Sequence, residues 1–211
     1  MKTLKKRAVI VLSAGLLGFL VAALFPQLLH RDAPPEIPGL LWPDPRVLSA
    51  FTLEDQHAQR FDLDRLKGKW TFLFFGYTNC PDVCPTTLSV LASVEKQLKQ
   101  TPEALKNSQF VFVSVDPKRD TPEHLGKYVG YFNKDFVGVT GPPEKLGALT
   151  TQLGIFYLLG EPDAAGNYLV DHTAAILLTD PKARLIGVFG APHDPQTIVA
   201  RFRRIRELIE G

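Results

Sequence analysis

The sequence predicts an α/β fold, and three features of the chain carry that prediction. The apolar run from Trp70 to Phe75 is typical of a strand buried on both faces, as in a parallel sheet. The run from Phe110 to Val115 has the same character. Between the two runs, Leu88, Leu91 and Leu98 recur at the spacing of an amphipathic helix. Strands that alternate with helices in this way favour one sheet with helices packed against it.

The first 29 residues have the features of a membrane anchor. Basic residues precede an uncharged apolar run from Ala8 to about Phe25, which extends to Leu29 and is long enough to span a bilayer. The preceding charge predicts a cytoplasmic N-terminus, with the domain facing the periplasm of a bacterial inner membrane. A signal peptide cleaved near Val21-Ala22-Ala23 is the competing interpretation, and the length of the run favours the uncleaved single-pass anchor.

Residues 30–48 are expected to form an extended linker. They are rich in proline and have little hydrophobic periodicity, which is typical of a chain that holds a domain away from a membrane. The folded domain is therefore expected to cover residues 49–211.

Turn and cap signals predict the other elements of this domain. A hairpin is expected where Phe51 to Leu53 and Arg60 to Leu63 flank a polar turn. Thr121 and Pro122 are typical of a helix start. The further predicted elements are helices from Glu123 to Phe132, around Glu144 to Gln152 and from about Pro195 to Ile209, and strands from Ala174 to Leu178 and Leu185 to Phe189 that turn at Asp180 to Lys182.

The charge balance excludes one large class of function. The chain has 24 basic and 22 acidic residues, and four of the basic residues lie in the predicted anchor. The 20 basic residues that remain nearly balance the acidic ones. This balance argues against a nucleic-acid-binding protein.

Cys80 and Cys84 are the only cysteines of the chain, and they lie where the first buried strand passes into a helix. The turn signals Gly76 and Pro81 place Cys80 in the loop. Pro85 suits a first helical position, which places Cys84 at the helix N-terminus. There the helix dipole and the free N–H groups favour thiolate over thiol. The pair is therefore a candidate for disulfide chemistry or for binding a soft metal ion.

A metal site at these cysteines needs an imidazole. Soft metal ions select thiolates, and two thiolates with one imidazole suit three-coordinate Cu(I). A closed zinc site needs four ligands, and no fourth is evident. His172 directly precedes a predicted buried strand and is the candidate imidazole, although this position alone leaves a structural role open. The other histidines are expected on the surface or, for His193, in a loop or cap role: His30, His57, His124 and His193.

Three motifs in their order along the chain resemble the SCO/SenC family of cytochrome c oxidase assembly proteins. They are Gly76 to Pro85 (GYTNCPDVCP), Val115 to Pro122 (VDPKRDTP) and Val170 to Thr173 (VDHT). The resemblance covers roughly residues 45–211, and a membrane anchor is also typical of the family. It implies a thioredoxin-like fold with additional elements and a copper ion, Cu(I) or Cu(II), bound by Cys80, Cys84 and His172. It also implies a partner, the CuA domain of oxidase subunit II. The protein would either deliver copper to this CuA site or prepare the site for copper.

Asp116 and Asp120 follow the second buried strand, at the sheet edge where the cysteine loop is also expected. One interpretation is that they support the copper ligands by hydrogen bonds or form a partner surface. That role is also open to Asp171, beside His172. The other interpretation is ordinary turn and capping chemistry with Arg119 as an internal counter-ion. The residues alone favour neither.

The resemblance implies a copper metallochaperone, for which catalysis is not required. Its cysteines must be reduced to bind copper, so a periplasmic thiol reductant is an expected partner, and an upstream copper donor is a further candidate. The alternative is a membrane-tethered thiol-disulfide oxidoreductase that uses Cys80 and Cys84 to reduce the CuA cysteines. Such enzymes normally have C-x-x-C beside a cis-proline. The wider spacing here, and a segment Asp171-His172-Thr173 without proline, favour metal binding.

Overall fold

The central strand of the structure is the one predicted around Trp70. The computed structural model describes residues 36–41 and 43–211, and these residues form two sheets. The strands are β1 (Arg46–Val47), β2 (Thr52–Asp55), β3 (Arg60–Asp62), β4 (Trp70–Gly76), β5 (Ser108–Ser114), β6 (Val137–Thr140), β7 (Tyr157–Leu159), β8 (Val170–His172), β9 (Ile176–Thr179) and β10 (Arg184–Phe189).

The main sheet has the order β1-β10-β9-β4-β5-β6-β2-β3, and β7 pairs with β8 in a separate two-stranded sheet. Strands β4, β5 and β6 are parallel, whereas β9 is antiparallel to β4 and β10 to β9. Gly76 at the end of β4 lies opposite Ser114 at the end of β5. The loops that follow these two strands therefore leave the sheet at the same edge, as predicted.

The helices are α1 (Val83–Leu98), α2 (Pro102–Leu105), α3 (Pro122–Phe132), α4 (Pro143–Leu153) and α5 (Pro195–Glu210). Of these described helices, the four longer ones begin close to the predicted positions, and one short helix, α2, was not predicted. At the start of α3, the Thr121 side chain accepts a hydrogen bond from the N–H of His124 (3.3 Å), as expected for an N-cap. Asp194 caps α5 in the same way, accepting from the N–H of Thr197 (2.7 Å).

The core is built on β4, which is buried along its whole length. Phe72 of β4 stacks on Phe110 of β5, with ring centroids 4.8 Å apart, and meets the edge of Phe202 of α5 at 5.0 Å. Trp70 lies against the same phenylalanine of α5 and donates its indole N–H to Glu210 (2.8 Å). Parallel strands that alternate with helices and are covered by them on both faces are typical of α/β proteins, so the predicted fold class is confirmed.

The predicted membrane anchor, residues 1–29, lies outside the described residues. Within the part of the chain that the structure describes, no helix combines the length and apolarity needed to cross a bilayer. The anchor therefore stays a prediction.

Residues 37–48 differ from the extended linker that the prolines predict. Ile37 and Leu48 are buried, Leu40 forms a bridge with Gly187, and β1 pairs with β10. The folded unit accordingly runs from Ile37 to Gly211. The physical reason is that this segment places apolar side chains between its prolines. Its remaining N–H and C=O groups can then pair with the backbone of β10.

The sequence did not predict β6 or the ribbon formed by β7 and β8. β6 is short and contains Gly138, so its pattern is weak. In the ribbon, Tyr157 lies opposite His172, and both strands have only three residues. His172 is therefore the last residue of a separate strand, β8, which the sequence pattern did not distinguish from the approach to the buried strand β9.

Candidate metal centre

The cysteine loop joins β4 to α1 and brings the two sulfurs together. The N–H of Cys80 donates to the carbonyl of Tyr77 (3.3 Å), which turns the chain just after β4. Helix α1 begins at Val83, two residues before the predicted Pro85, so Cys84 lies in its first turn. First-turn N–H groups have no partner within the helix. The N–H of Cys84 donates instead to Cys80 Sγ (3.4 Å).

The two thiols differ in their exposure to water. Cys84 is fully buried, whereas Cys80 is 8% exposed. Burial raises the pKa of the Cys84 thiol well above its usual range, and the neighbouring Cys80 sulfur adds to this rise. The expectation that the helix N-terminus favours a thiolate is therefore wrong for Cys84. Burial removes water from the sulfur and so disfavours the charged thiolate.

His172 reaches the cysteines because β9 runs antiparallel to β4. Ile176, the first residue of β9, lies opposite Phe74 near the end of β4, so the residues just before β9 lie at the edge of the cysteine loop. The Nε2 atom of His172 is 3.3 Å from Cys84 Sγ, across 88 positions of sequence. The ring meets Phe74 and Tyr77 at centroid distances of 5.9 and 6.1 Å, both edge to face.

The environment of His172 prepares its ring to bind a metal. Nδ1 lies 3.3 Å from the carbonyl of Thr173, so Nδ1–H donates there and the lone pair of Nε2 faces the sulfurs. Burial lowers the pKa of His172 below its usual value, which keeps the imidazole neutral at neutral pH. A neutral imidazole is the form that binds metals.

The three side chains fit one soft metal ion. The ligand atoms of Cys80, Cys84 and His172 all lie within 4.8 Å of one another. Ligand atoms at about 2.3 Å from one ion in a trigonal site are about 4.0 Å apart, so the three side chains need to close by less than about 1 Å. Among the described residues, no Asp or Glu side chain belongs to this cluster of possible ligands. A three-ligand, sulfur-rich site of this kind suits copper better than a closed tetrahedral zinc site.

Gly76 makes room for the sulfur of Cys84, a role that its prediction as a turn residue did not include. A Cβ atom at Gly76 would lie 2.5 Å from Cys84 Sγ and 3.0 Å from Cε2 of Phe112. Gly76→Ala is therefore expected to displace the sulfur, to weaken metal binding and to lower the free energy of unfolding by about 1–3 kcal/mol. Urea unfolding and a metal titration of the variant measure the two effects.

Gly130→Ala is the matched control for Gly76→Ala. Gly130 is in α3, and a Cβ atom there would meet nothing within 4 Å. Alanine at this helical position should stabilise the protein by up to about 1 kcal/mol and leave metal binding unchanged. If Gly76→Ala bound metal as tightly as the wild-type protein, the steric role of Gly76 would be wrong.

Asp120 positions the cysteine loop. Its fully buried carboxylate accepts hydrogen bonds from the N–H of Thr78 (2.9 Å), the hydroxyl of Thr78 (2.5 Å) and the hydroxyl of Ser114 (2.5 Å). Thr78 lies two residues before Cys80, so these bonds tie the loop to the end of β5. Asp120 thus supports the loop that carries the ligands and does not belong to the ligand cluster.

Asp116 has an internal counter-ion and a second partner in the segment that leads to β8. It forms an ion pair with Arg119, the predicted counter-ion, and accepts a hydrogen bond from the hydroxyl of Tyr168 (2.7 Å). Tyr168 is in the segment that leads to β8, so Asp116 links the aspartate loop to the segment that carries His172. Asp171 is exposed, and strand alternation directs it away from the face of His172.

The remaining histidines lie outside the ligand cluster. His57 and His124 are exposed, and His124 Nε2 is 3.0 Å from the hydroxyl of Thr78. His193 Nε2 lies 3.0 Å from the carbonyl of Ala174, in agreement with the predicted loop role. Burial lowers the pKa of His193. His30 lies outside the described residues.

Tyr168 and Thr78 are the residues at this site that sequence reasoning missed. Tyr168 is aromatic in a polar stretch two positions before β8, and Thr78 lies two positions before Cys80. These positions are weak signals, because each residue acts through a partner at least 42 positions away in sequence.

The chain is similar to proteins of one family. A family model described as SCO1/SenC matches residues 43–207. A protein of Stutzerimonas stutzeri, provisionally named a copper-binding protein, is 39% identical over 153 residues, covering 72% of this chain and 74% of that protein. The solved structure of Arabidopsis thaliana ScoI with copper bound has 31% identity and a TM-score of 0.70, covering 78% of this chain and 99% of that one. The solved structure of Bradyrhizobium japonicum ScoI with copper bound has 33% identity and a TM-score of 0.67, and the match covers 75% of this chain and 99% of that one.

Proposed function

Because this chain belongs to the SCO1/SenC family, we propose that it is a copper metallochaperone for the CuA site of cytochrome c oxidase. It binds one copper ion through Cys80, Cys84 and His172. The observation that carries this proposal is the approach of two sulfurs and one imidazole nitrogen to within 4.8 Å. Thiolate and imidazole ligands suit copper, and the two ScoI structures similar to this chain contain it.

The surroundings of His172 suit transfer of copper to another protein. An open cavity of about 430 Å³ is lined by residues in or next to the β7–β8 ribbon, among them His172, Phe156 and Leu158. A ligand of the acceptor can approach from this side. Three protein ligands leave a coordination position free for that incoming ligand, so exchange can proceed one ligand at a time.

The proposed setting is the periplasmic face of a bacterial inner membrane. The apolar run in residues 8–29 supports a single-pass anchor. In this oxidising compartment Cys80 and Cys84 would form a disulfide. A periplasmic thiol reductant is therefore a required partner, and an upstream donor supplies the copper.

A second candidate function is reduction of a disulfide between the CuA cysteines. It is favoured by the different exposure of Cys80 and Cys84. Cys80 is the more exposed of the two cysteines and accepts a hydrogen bond from the N–H of Cys84, so its sulfur is the one that an acceptor disulfide can reach first. Cys84 is fully buried and suits the second, resolving step. In that reaction Cys80 and Cys84 are oxidised to one disulfide while the disulfide of the acceptor becomes two thiols. Two electrons and two protons move to the acceptor.

Copper transfer to a CuA domain separates the two functions. Full-length protein in detergent is loaded with copper and mixed with the reduced, copper-free CuA domain of the oxidase subunit II from the same organism. Copper is expected to move to the CuA domain, because its ligands replace those of the donor. Metal analysis of the two proteins after chromatographic separation measures the transfer.

The control for this experiment measures reduction of the CuA disulfide in the absence of copper. Copper-free, reduced protein is mixed with CuA domain whose cysteines form a disulfide, and free thiols are counted on both proteins. Copper that stays on the donor, together with rapid reduction of the CuA disulfide, would replace the metallochaperone proposal with the reductase.

A further inference from the structure

We propose that Arg119 is a positioning residue for metal binding. Its guanidinium group packs between Tyr77 and Tyr168 and fastens the segment that carries His172 to the loop that carries the cysteines. This inference rests on the proposed function, because it concerns the same copper site. We call Arg119, Tyr77, Tyr168 and Asp116 the arginine clamp.

One side of the clamp holds the segment that leads to His172. The Cζ atom of Arg119 lies 3.6 Å from the centroid of the Tyr168 ring, and Nη1 donates to the carbonyl of Tyr168 (2.9 Å). Tyr168 precedes β8 by two residues, and His172 is the last residue of β8. Any shift of Tyr168 is therefore passed along a short stretch of chain to the imidazole.

The other side of the clamp faces the cysteine loop. Arg119 Cζ lies 5.4 Å from the centroid of the Tyr77 ring. The carbonyl of Tyr77 accepts the hydrogen bond from Cys80 N–H, and the Tyr77 ring meets the ring of His172. Tyr77 thus touches both halves of the metal site.

Asp116 fixes the orientation of the whole clamp. Its carboxylate pairs with Arg119 Nε through one oxygen and accepts the hydroxyl hydrogen of Tyr168 through the other (2.7 Å). Asp116 is only 1% exposed, so both bonds lie away from water. A planar guanidinium can stack on an aromatic ring and donate in its own plane at the same time, whereas a lysine ammonium cannot.

The ribbon needs such a clamp because its own packing is sparse. Phe156, Leu158, Leu159 and Leu169 are all exposed, although they are apolar residues in or next to β7 and β8. The ribbon pairs only with itself and is not part of the main sheet. Within β8 only Val170 is a buried apolar side chain, so the polar and stacking contacts of Arg119 carry part of the task of holding this strand in place.

The guanidinium group of Arg119 is more buried than an ion pair with Asp116 alone would require. Its side chain is only 20% exposed, and Nη2 is buried without a hydrogen-bond partner among the described residues. Buried polar atoms without a partner are rare in folded proteins and call for an explanation. Stacking against Tyr168 places the guanidinium where this atom has no acceptor, which indicates that the stack determines its position.

Arg119→Lys tests the clamp in the full-length protein. The variant keeps the charge but loses the planar stack, and copper affinity is expected to fall about 10-fold or more, as for other residues that support metal ligands. In a His172→Ala background the same change should alter copper affinity less than about 2-fold, because Arg119 acts through His172. The Cu(II) EPR spectrum of Arg119→Lys should lose or blur the nitrogen coupling of the imidazole.

Arg65→Lys is the matched control for Arg119→Lys. Arg65 also pairs with a buried aspartate, Asp55 (3.3 Å), and lies over an aromatic ring, Phe61, with Cζ 5.5 Å from the centroid. It belongs to the β2–β3 end of the sheet and not to the metal site. This variant should change the urea midpoint and leave copper affinity and the EPR spectrum unchanged.

Three results would overturn the clamp. One is an Arg119→Lys variant that binds copper as tightly as the wild-type protein. Another is an equal loss of affinity with and without His172, which would mean that Arg119 acts on the thiolates directly. If Arg119→Lys does not fold, Tyr168→Phe replaces it. That variant keeps the ring and loses only the bond to Asp116, and unchanged copper affinity would again contradict the clamp.

A measurement without metal separates this inference from the proposed function. In copper-free protein, the NMR signals of the His172 ring should broaden or shift in Arg119→Lys and stay unchanged in Arg65→Lys. If the wild-type protein binds no copper, the proposed function fails whatever the NMR signals show. If it binds copper and the ring signals do not respond to Arg119→Lys, the clamp alone fails.

Discussion

His172→Ala is expected to abolish tight copper binding while Cys80 and Cys84 can still form a disulfide. The variant removes the only nitrogen of the ligand cluster, and two thiolates remain. Residues that merely support a ligand contribute about 10–100-fold to metal affinity, so loss of the ligand itself should exceed about 100-fold. Competition titration with a copper chelator measures the affinity, and counting free thiols before and after oxidation measures the disulfide.

His57→Ala is the matched control for the loss of a histidine. His57 is exposed in the β2–β3 turn, and only its backbone N–H bonds to Asp55 (2.9 Å). Copper affinity should not change in this variant. Copper bound with wild-type affinity and stoichiometry by His172→Ala would remove His172 from the ligand set and with it the main argument for a metallochaperone.

Asp120→Ala is expected to lower the free energy of unfolding by about 3 kcal/mol or more. The carboxylate accepts three hydrogen bonds, from the N–H and hydroxyl of Thr78 and the hydroxyl of Ser114. The N–H of Thr78 and the hydroxyl of Ser114 would lose their partner at a cost of about 1–3 kcal/mol each, whereas the hydroxyl of Thr78 can still donate to Asn79 Oδ1 (3.2 Å). Urea unfolding followed by circular dichroism measures the change.

Asp194→Ala provides the comparison for Asp120→Ala. Asp194 is an exposed N-cap whose carboxylate accepts from the N–H of Thr197. Its loss should destabilise the protein much less, because water can replace the carboxylate. Equal losses in the two variants would show that Asp120 has no special role in holding the cysteine loop. A copper affinity of Asp120→Ala that fell together with its stability would fit the loop role.

Both predictions depend on contacts between loops that follow different strands. Thr78 follows β4, Asp120 follows β5, and His172 ends β8 just before β9. The sheet order places the ends of β4 and β5, and the start of β9, at one edge. The cluster of Cys80, Cys84 and His172 is therefore a product of strand order, and damage to any of the three loops should displace these proposed copper ligands.

The local pattern of residues was sufficient for most of the regular structure. The apolar runs predicted β4 and β5 because strands buried on both faces need apolar side chains at every position. Thr121 and Pro122 predicted the start of α3 because cap and first-turn positions have their own chemistry. β6 and β8 escaped prediction because their three or four residues carry too little pattern, whereas the equally short β2, β3 and β9 were predicted with the help of turn signals beside them.

The resemblance to a family, and not residue spacing, singled out His172 as a ligand. Its position before a strand is equally compatible with a structural histidine. The same holds for Asp116 and Asp120, whose turn chemistry and supporting roles are both present in the structure. Residues that act through distant partners leave no local periodic signal, so Tyr168 and the steric role of Gly76 could not be predicted.

The sequence by itself determined the α/β class, the loop-to-helix position of the cysteine pair and the N-cap of α3. These features depend on neighbours within a few residues. Only the tertiary structure decided that His172 meets Cys84, that burial raises the pKa of that thiol, and that residues 37–48 join the domain. The reason is physical: distances across the sheet and exclusion of water arise only when segments far apart in the chain pack together.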